Sequence, residues 1–174
     1  WKEETKNERW YIGDTYHLAI GQGALLVTPL QVASFFSTIA NGGTVYKPHF
    51  VSGLFDEKSK KVIEKFEPEV ISTPEVSPEN FEIIQDGLRR VVTRGSGKRL
   101  GSLSVDVSGK TGTAQWNSTK DPHAWYAGYA PTQNPQIAFS ILVEEGVEGS
   151  GITVAIANDL LQWWIDNRYD ITGD

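Results

Sequence analysis

Cysteine is absent from the 174 residues, and so is methionine. Without thiols there is no disulfide framework, no thiol nucleophile and no cysteine-ligated metal. A chain with this much core material usually carries methionine, so its absence suggests an excised portion of a longer protein, as does the abruptly charged start WKEETKNERW. No apolar run approaches the ~20 residues needed to cross a bilayer as a helix. Net positive charge is lacking too: 16 Lys and Arg stand against 22 Asp and Glu, for a formal charge of −6. Nucleic acid is therefore excluded as the main partner, because phosphate binding rests on clustered cations.

What is present is enough to fold. Hydrophobic residues make up 39% of the chain, with six Trp, six Tyr and seven Phe, too many for a disordered tail. The length suits one domain. In TPLQVASFFSTIANGG, Thr28 is placed to cap a helix, with Pro29 at its first position and Gln31 where a capping-box partner reaches back. Val32, Phe35, Phe36, Ile39 and Ala40 follow at helical spacing, and Asn41, Gly42 and Gly43 stop the run. TVYKPHFV reads as a strand interrupted by Pro48, and GLFDEKSKKVIEKF as two short strands around a charged turn. FEPEVISTPEVSPEN, with Pro68, Pro74 and Pro78, reads as an irregular connector.

A second helix is predicted from Ser77, with Phe81, Ile84, Leu88 and Val91 on one face and Gly95 at its end. Three strand-like segments follow: LSVDVSGKTGTAQ, HAWYAGYAP and QIAFSILVEEG. Their short, turn-rich separators predict an antiparallel meander rather than parallel strands with long crossovers. ITVAIANDLLQWWIDNRY closes the chain with a helical stripe of Val154, Ala157, Leu161, Trp164 and Ile165. The order predicts an α+β fold, an antiparallel sheet flanked by helices.

Lys110, set among hydroxyls and glycines in VDVSGKTGTAQW, is the focus of the chemistry. A phosphate cradle fails: a P-loop needs a glycine where Ser104 stands, and a helix where a strand continues. GSGKR fails as well, with Arg99 after the lysine, and GQGALL lacks the third glycine of a dinucleotide fingerprint. The acyl-transfer reading fits better. Side chains alternate along a strand, so a ligand that meets Lys110, Thr111 and Thr113 together must lie along the strand edge. Gly112 leaves that edge approachable. The hydroxyls of Thr111 and Thr113 would hold a carboxylate, Lys110 would supply positive potential, and the Thr113 amide would help stabilise an oxyanion. The plain alternative is a polar edge strand with a surface lysine.

The block SGKTGTAQ resembles the Lys-Thr-Gly signature of penicillin-binding proteins and serine β-lactamases. GDTYHLAIGQGALLVTPLQVA (Gly13 to Ala33) and HAWYAGYAP (His123 to Pro131) narrow the resemblance to the transpeptidase domain of class B penicillin-binding proteins, particularly the elongation-type penicillin-binding protein 2 group. It covers nearly the whole chain in the right order, and it implies that residues 1–174 are the C-terminal portion of a β-lactamase/transpeptidase-like domain. Position by position, Lys110 would organise proton transfer, Thr111, Gly112 and Thr113 would bind the carboxylate end of a D-Ala-D-Ala stem peptide or a β-lactam, and the Thr113 backbone would serve the oxyanion hole. The resemblance further implies a protein anchored in the cytoplasmic membrane with this domain on the outer, periplasmic side of the cell envelope, working beside a glycan-polymerising membrane partner. It implies no cofactor.

The chain departs from the family in lacking both Ser-x-x-Lys and Ser-x-Asn: Ser59 has Val62 at the required position, and Ser96 has Arg99. In the family both elements precede the GQG block, so the nucleophile is expected upstream of Trp1, and the isolated chain is expected to form no acyl-enzyme. A serine β-lactamase, a penicillin-binding sensor domain and a non-catalytic interaction module are the rival readings.

Other features carry simpler readings. His17, His49 and His123 are dispersed, and no metal is assigned. Asp14 and the GQG turn are candidates for the cleft floor, although helix-entry geometry accounts for those glycines equally well. Trp125 and Tyr126 flank the Lys110 strand, one facing core and the other the substrate side. Arg89, Arg90, Arg94, Lys98 and Arg99 suit a helix C-terminus, and Trp163 and Trp164 are expected to pack the last helix on the sheet.

Overall fold

A computed structural model describes residues 1–169. Two helices open the chain, α1 (Lys2–Lys6) and α2 (Ile12–Ala19), where no element was predicted. Their start signal sits inside the helix: the Asp14 carboxylate accepts from the Tyr11 backbone N–H at 2.8 Å and from Lys2 Nζ at 2.8 and 2.7 Å. α3 (Pro29–Ala40) has the predicted capping box, with Gln31 N–H donating to Thr28 Oγ1 at 3.2 Å and Thr28 N–H donating to Gln31 Oε1 at 2.8 Å. It ends where Asn41 Oδ1 accepts from the Gly43 and Thr44 amides and where Gly42 and Gly43 take φ of +80° and +122°.

β1 (Val45–Tyr46) is shorter than predicted and stops before Pro48. β2 (Gly53–Asp56) and β3 (Lys61–Lys65) form the expected hairpin, with Leu54 opposite Glu64 and Asp56 opposite Lys61. The connector read as irregular contains β4 (Val70–Ser72), which pairs with β1 through Val45 and Ser72. Three prolines obscured a strand that exists only because its partner lies about two dozen residues back. α4 (Pro78–Arg94) starts at Ser77 as predicted and buries Phe81, Leu88 and Val92, with Ile84 left largely exposed.

A 3₁₀ turn at Lys98–Ser102 leads to the central meander, β5 (Ser108–Ala114), β6 (His123–Ala130) and β7 (Ile137–Val143), in that spatial order and antiparallel throughout. Gly109 lies opposite Gly128, Thr111 opposite Tyr126 and Thr113 opposite Ala124. The predicted first strand began at Leu103, five residues too early. Ser108 already pairs with Tyr129, near the end of β6, and Pro131 beyond has no N–H to extend the ladder. Val105 and Val107 are buried all the same, as side chains that fill the core from an irregular segment.

Alternation along β6 serves two cores. Tyr126 and Ala130 face α5 (Ile152–Asn167), where they join Val92, Leu100, Val107, Phe139, Val154, Ala157, Leu161 and Trp164. Ala127 and Tyr129 face the other way, toward Phe36 and Ile39 of α3 and Leu88 of α4. The predicted α5 stripe is thus the buried one, but of the two adjacent tryptophans Trp164 packs on the sheet while Trp163 is 53% exposed. The architecture is the predicted α+β: an antiparallel sheet flanked by helices.

Candidate functional site

β5 lies at the edge of its sheet, and among the described residues no strand pairs with its outer side. Two hydrogen bonds fix which backbone groups face outward. Gln22 Nε2 donates to the Thr113 carbonyl at 3.4 Å, and Lys110 Nζ donates to the Thr111 carbonyl at 2.9 Å. In an antiparallel strand the N–H and C=O of one residue point to the same side. Thr111 and Thr113 therefore turn both backbone groups away from β6, and Lys110 and Gly112 turn theirs into the ladder. The sequence reading required an open edge there, and among the described residues no strand covers it.

Side chains alternate across the same four residues. Thr111 and Thr113 share the α5 side of the sheet, since they lie opposite Tyr126 and Ala124, and Lys110 and Gly112 share the α3 side. Thr111 Oγ1 is 2.8 Å from Ser96 Oγ, in the turn after α4. Sequence reasoning missed this role of Ser96: the residue enters it only in a failed P-loop and a failed Ser-x-x-Lys match, and nothing local ties residue 96 to residue 111. A Cβ at Gly112 would stand 3.2 Å from Trp125 Cβ, so the glycine leaves room on the face that Trp125 occupies.

A cleft of about 530 Å³ runs along this edge. One wall is Lys110 to Gln115, and the other is the GQG turn, Gly21 to Gly23, with φ of +69° and +83° at its two glycines. Leu25, Leu26 and Val27 add an apolar lip. Trp116, His123 and Trp125 close one end, with the Trp116 and His123 rings stacked 4.9 Å apart and Lys120 Nζ 4.9 Å from the Trp116 ring. Trp125 thus faces the cleft while Tyr126 is fully buried, which settles the split between these neighbours. Lys110 also borders a second, apolar hollow of about 830 Å³, lined by Leu30, Phe35, Val45, Ile71, Phe81 and Ile84 among others.

The remaining candidates resolve as structural parts. Asp14 is not cleft floor; it caps α2 and pairs with Lys2, whose hydrogen bond and then the Tyr11 amide hold its carboxyl below the usual aspartate range. Of the GQG and Asp14 pair, only the turn reaches the cleft. His123 Nδ1 accepts from the Glu145 amide at 3.1 Å. Among the described residues no group of three or more His, Asp or Glu is placed to hold a metal ion. Arg89 bonds the Val107 carbonyl and the Asp106 carboxylate, and Arg90 bonds Asp86 at 2.8 Å, so these two brace α4.

The sequence of residues 2–162 matches the penicillin binding protein transpeptidase domain. The chain belongs to that family. It is 30% identical over 189 residues to the peptidoglycan D,D-transpeptidase MrdA of Haemophilus influenzae, covering 97% of this chain and 28% of that protein. Penicillin-binding protein 2A of Bacillus subtilis is 37% identical over 158 residues, covering 83% of this chain and 22% of that one. The crystal structure of Pseudomonas aeruginosa PBP2 in complex with WCK 5153 superposes with a TM-score of 0.77 at 31% identity, covering all of this chain and 36% of the other. Penicillin-binding protein A of Mycobacterium tuberculosis, solved as an imipenem acyl-enzyme complex, gives 0.69 at 31% identity over 84% of this chain and 33% of the other. The transpeptidase/β-lactamase-like fold is thereby established, and the chain spans about a quarter to a third of these relatives.

Proposed function

We propose that residues 1–174 are the C-terminal portion of a peptidoglycan D,D-transpeptidase domain, and that the β5 edge from Lys110 to Thr113 is its substrate-binding strand. The observation that carries this reading is the outward pair of backbone groups on Thr111 and Thr113, set beside a lysine and two hydroxyls along an unpaired edge. An extended peptide can add to such an edge with main-chain hydrogen bonds. Its terminal carboxylate meets Thr111 and Thr113, and the Thr113 N–H points at the carbonyl oxygen that gains charge during reaction. Gly112 keeps the face beside Trp125 clear for the donor backbone.

The chemistry needs a serine that this sequence does not supply in Ser-x-x-Lys form. In the full-length protein that serine's oxygen adds to the penultimate D-Ala carbonyl carbon, the amide C–N bond breaks, and the serine proton leaves on the amino group of the released D-alanine. An acceptor amine on a neighbouring stem peptide then attacks the ester, the C–O bond breaks, and a proton returns to the serine. Lys110 supplies positive potential to the proton traffic between these groups. A β-lactam enters by the same first step, with ring opening in place of D-alanine release. The apolar hollow beside Lys110 gives the serine-bearing part of the domain a surface to pack on. On this reading the full-length protein acts in the cell envelope, is anchored in the cytoplasmic membrane with this domain outside, and works with a membrane glycan polymerase.

The test is mass spectrometry after incubation with a labelled penicillin. The full-length protein should gain one covalent adduct, Lys110→Ala should abolish it, and the 174-residue chain alone should take none. A stoichiometric adduct on the isolated chain, or none on the full-length protein, overturns the proposal.

A further inference from the structure

Gly149 lies in the turn between β7 and α5 and rests on the sheet directly behind the Lys110 to Thr113 edge. A Cβ there would sit 2.5 Å from the carbonyl oxygens of both Gly112 and Trp125 and 3.0 Å from the Gly112 nitrogen. Gly112 and Trp125 are register partners, so Gly149 touches the pairing that holds β5 on β6, between the two outward-facing threonines. Its φ lies outside the left-handed region, so an alanine there would be strained by contact alone. The turn is tied at two points around Gly149, although Val147, Glu148, Ser150 and Gly151 themselves face solvent. Buried Thr153 donates its hydroxyl to the Gly149 carbonyl, and the Val147 amide donates to the Pro122 carbonyl at 3.1 Å. Gly146 is wedged as well: a Cβ on it would meet Ala124 Cβ at 2.9 Å.

A pinned turn pressed on a strand that is free on its outer side leaves the strand as the part that yields. We propose that Gly149 is a positioning residue: by having no side chain it lets the β7–α5 turn serve as a back wall that sets how far Gly112 and Thr113 stand into the cleft. The inference rests on the transpeptidase reading above, since it concerns where the Thr113 N–H meets the reacting carbonyl. An oxyanion donor works only when held near 3 Å from the developing charge, and loss of one donor costs roughly 10² to 10³ in rate, so partial displacement should cost about tenfold or more. The signal in the sequence was only the glycine density of EEGVEGSG, which does not say which of its glycines touches another strand.

The experiment uses the full-length protein and a reporter penicillin, and separates the dissociation constant of the reversible complex from the acylation rate constant per labelled site. Gly149→Ala should lower the acylation rate constant about tenfold or more, with a smaller change in reversible binding. Gly151→Ala, in the same turn, should stay within about twofold, because its Cβ would meet nothing closer than Glu148 Oε1 at 3.9 Å. A Gly149→Ala protein that acylates at the unsubstituted rate per site, or whose loss is wholly a smaller amount of folded, labelled protein, overturns the inference. Absence of label on the unsubstituted protein would instead strike the functional reading itself.

Discussion

Ser96 and Thr111 share a hydrogen bond between hydroxyl oxygens 2.8 Å apart, which ties the turn after α4 to the strand edge proposed to bind the substrate carboxylate. Held this way, the Thr111 hydroxyl has a partner outside its own strand. Ser96→Ala frees the hydroxyl at a cost of about 1 kcal/mol, the usual net worth of such a bond. Acylation efficiency of the full-length protein toward a reporter penicillin should fall about fivefold, with little change in melting temperature. Unchanged kinetics would mean that Thr111 does not need this partner.

Gly109 and Gly128 face each other across β5 and β6, and neither tolerates a side chain. A Cβ at Gly109 would lie 2.5 Å from Tyr126 Oη and 2.7 Å from the Ala127 carbonyl. Gly109→Ala should therefore destabilise by about 1 to 3 kcal/mol, the range for overpacking a dense core. Thermal melting checks this, and a neutral result would show that the strands can separate locally without penalty.

Tyr126 is fully buried, and its hydroxyl has no hydrogen-bond partner among the described residues. Burial drives its phenol well above the ordinary tyrosine value. The folded state thus keeps this proton where the unfolded chain loses it, so the contribution is complete below the unfolded value of about 10 and is lost as pH rises beyond it. Tyr126→Phe removes the unpaired hydroxyl. Stability near neutral pH should hold or rise by up to about 1 kcal/mol, and the alkaline decline should shrink; a clear loss of stability in chemical denaturation would contradict this.

Lys2 and Asp14 join α1 to α2. The hydrogen bond from Lys2 lowers the Asp14 carboxyl, and the same bond raises the Lys2 ammonium. The Asp14 contribution is present above the free aspartate value and fades as pH falls through the lower folded value. That of Lys2 is present below the free lysine value and fades as pH climbs through the higher folded one. Limited proteolysis should find residues 1–19 protected at neutral pH and cut faster at both extremes, with Asp14→Asn cut fast throughout. Equal cutting of both proteins at pH 7 would remove the ion pair from the account.

Legibility in the sequence followed the range of the interactions. Capping at Thr28 and Ser77, the glycine stop after Ala40 and the α5 stripe are local signals, and each was read correctly. β4 was missed because its only reason to be a strand is β1. The start of β5 was misplaced because Pro131, opposite and out of sight along the chain, ends the ladder. α1 and α2 went unread because their stabilising pair joins residues 2 and 14, outside any single helix window.

By itself the sequence determined that these 174 residues form an α+β arrangement without a thiol or a phosphate-cradle motif of their own, and it singled out Lys110, Thr111, Gly112 and Thr113, because turn residues, periodicity and motif are written in neighbouring positions. Tertiary structure alone decided that β5 is an edge, that Gln22 faces Thr113 across the cleft, and that Ser96 and Gly149 stand beside and behind the strand. Those contacts join residues 15 to 91 positions apart, and only the closing of the sheet between its two helical layers brings them together.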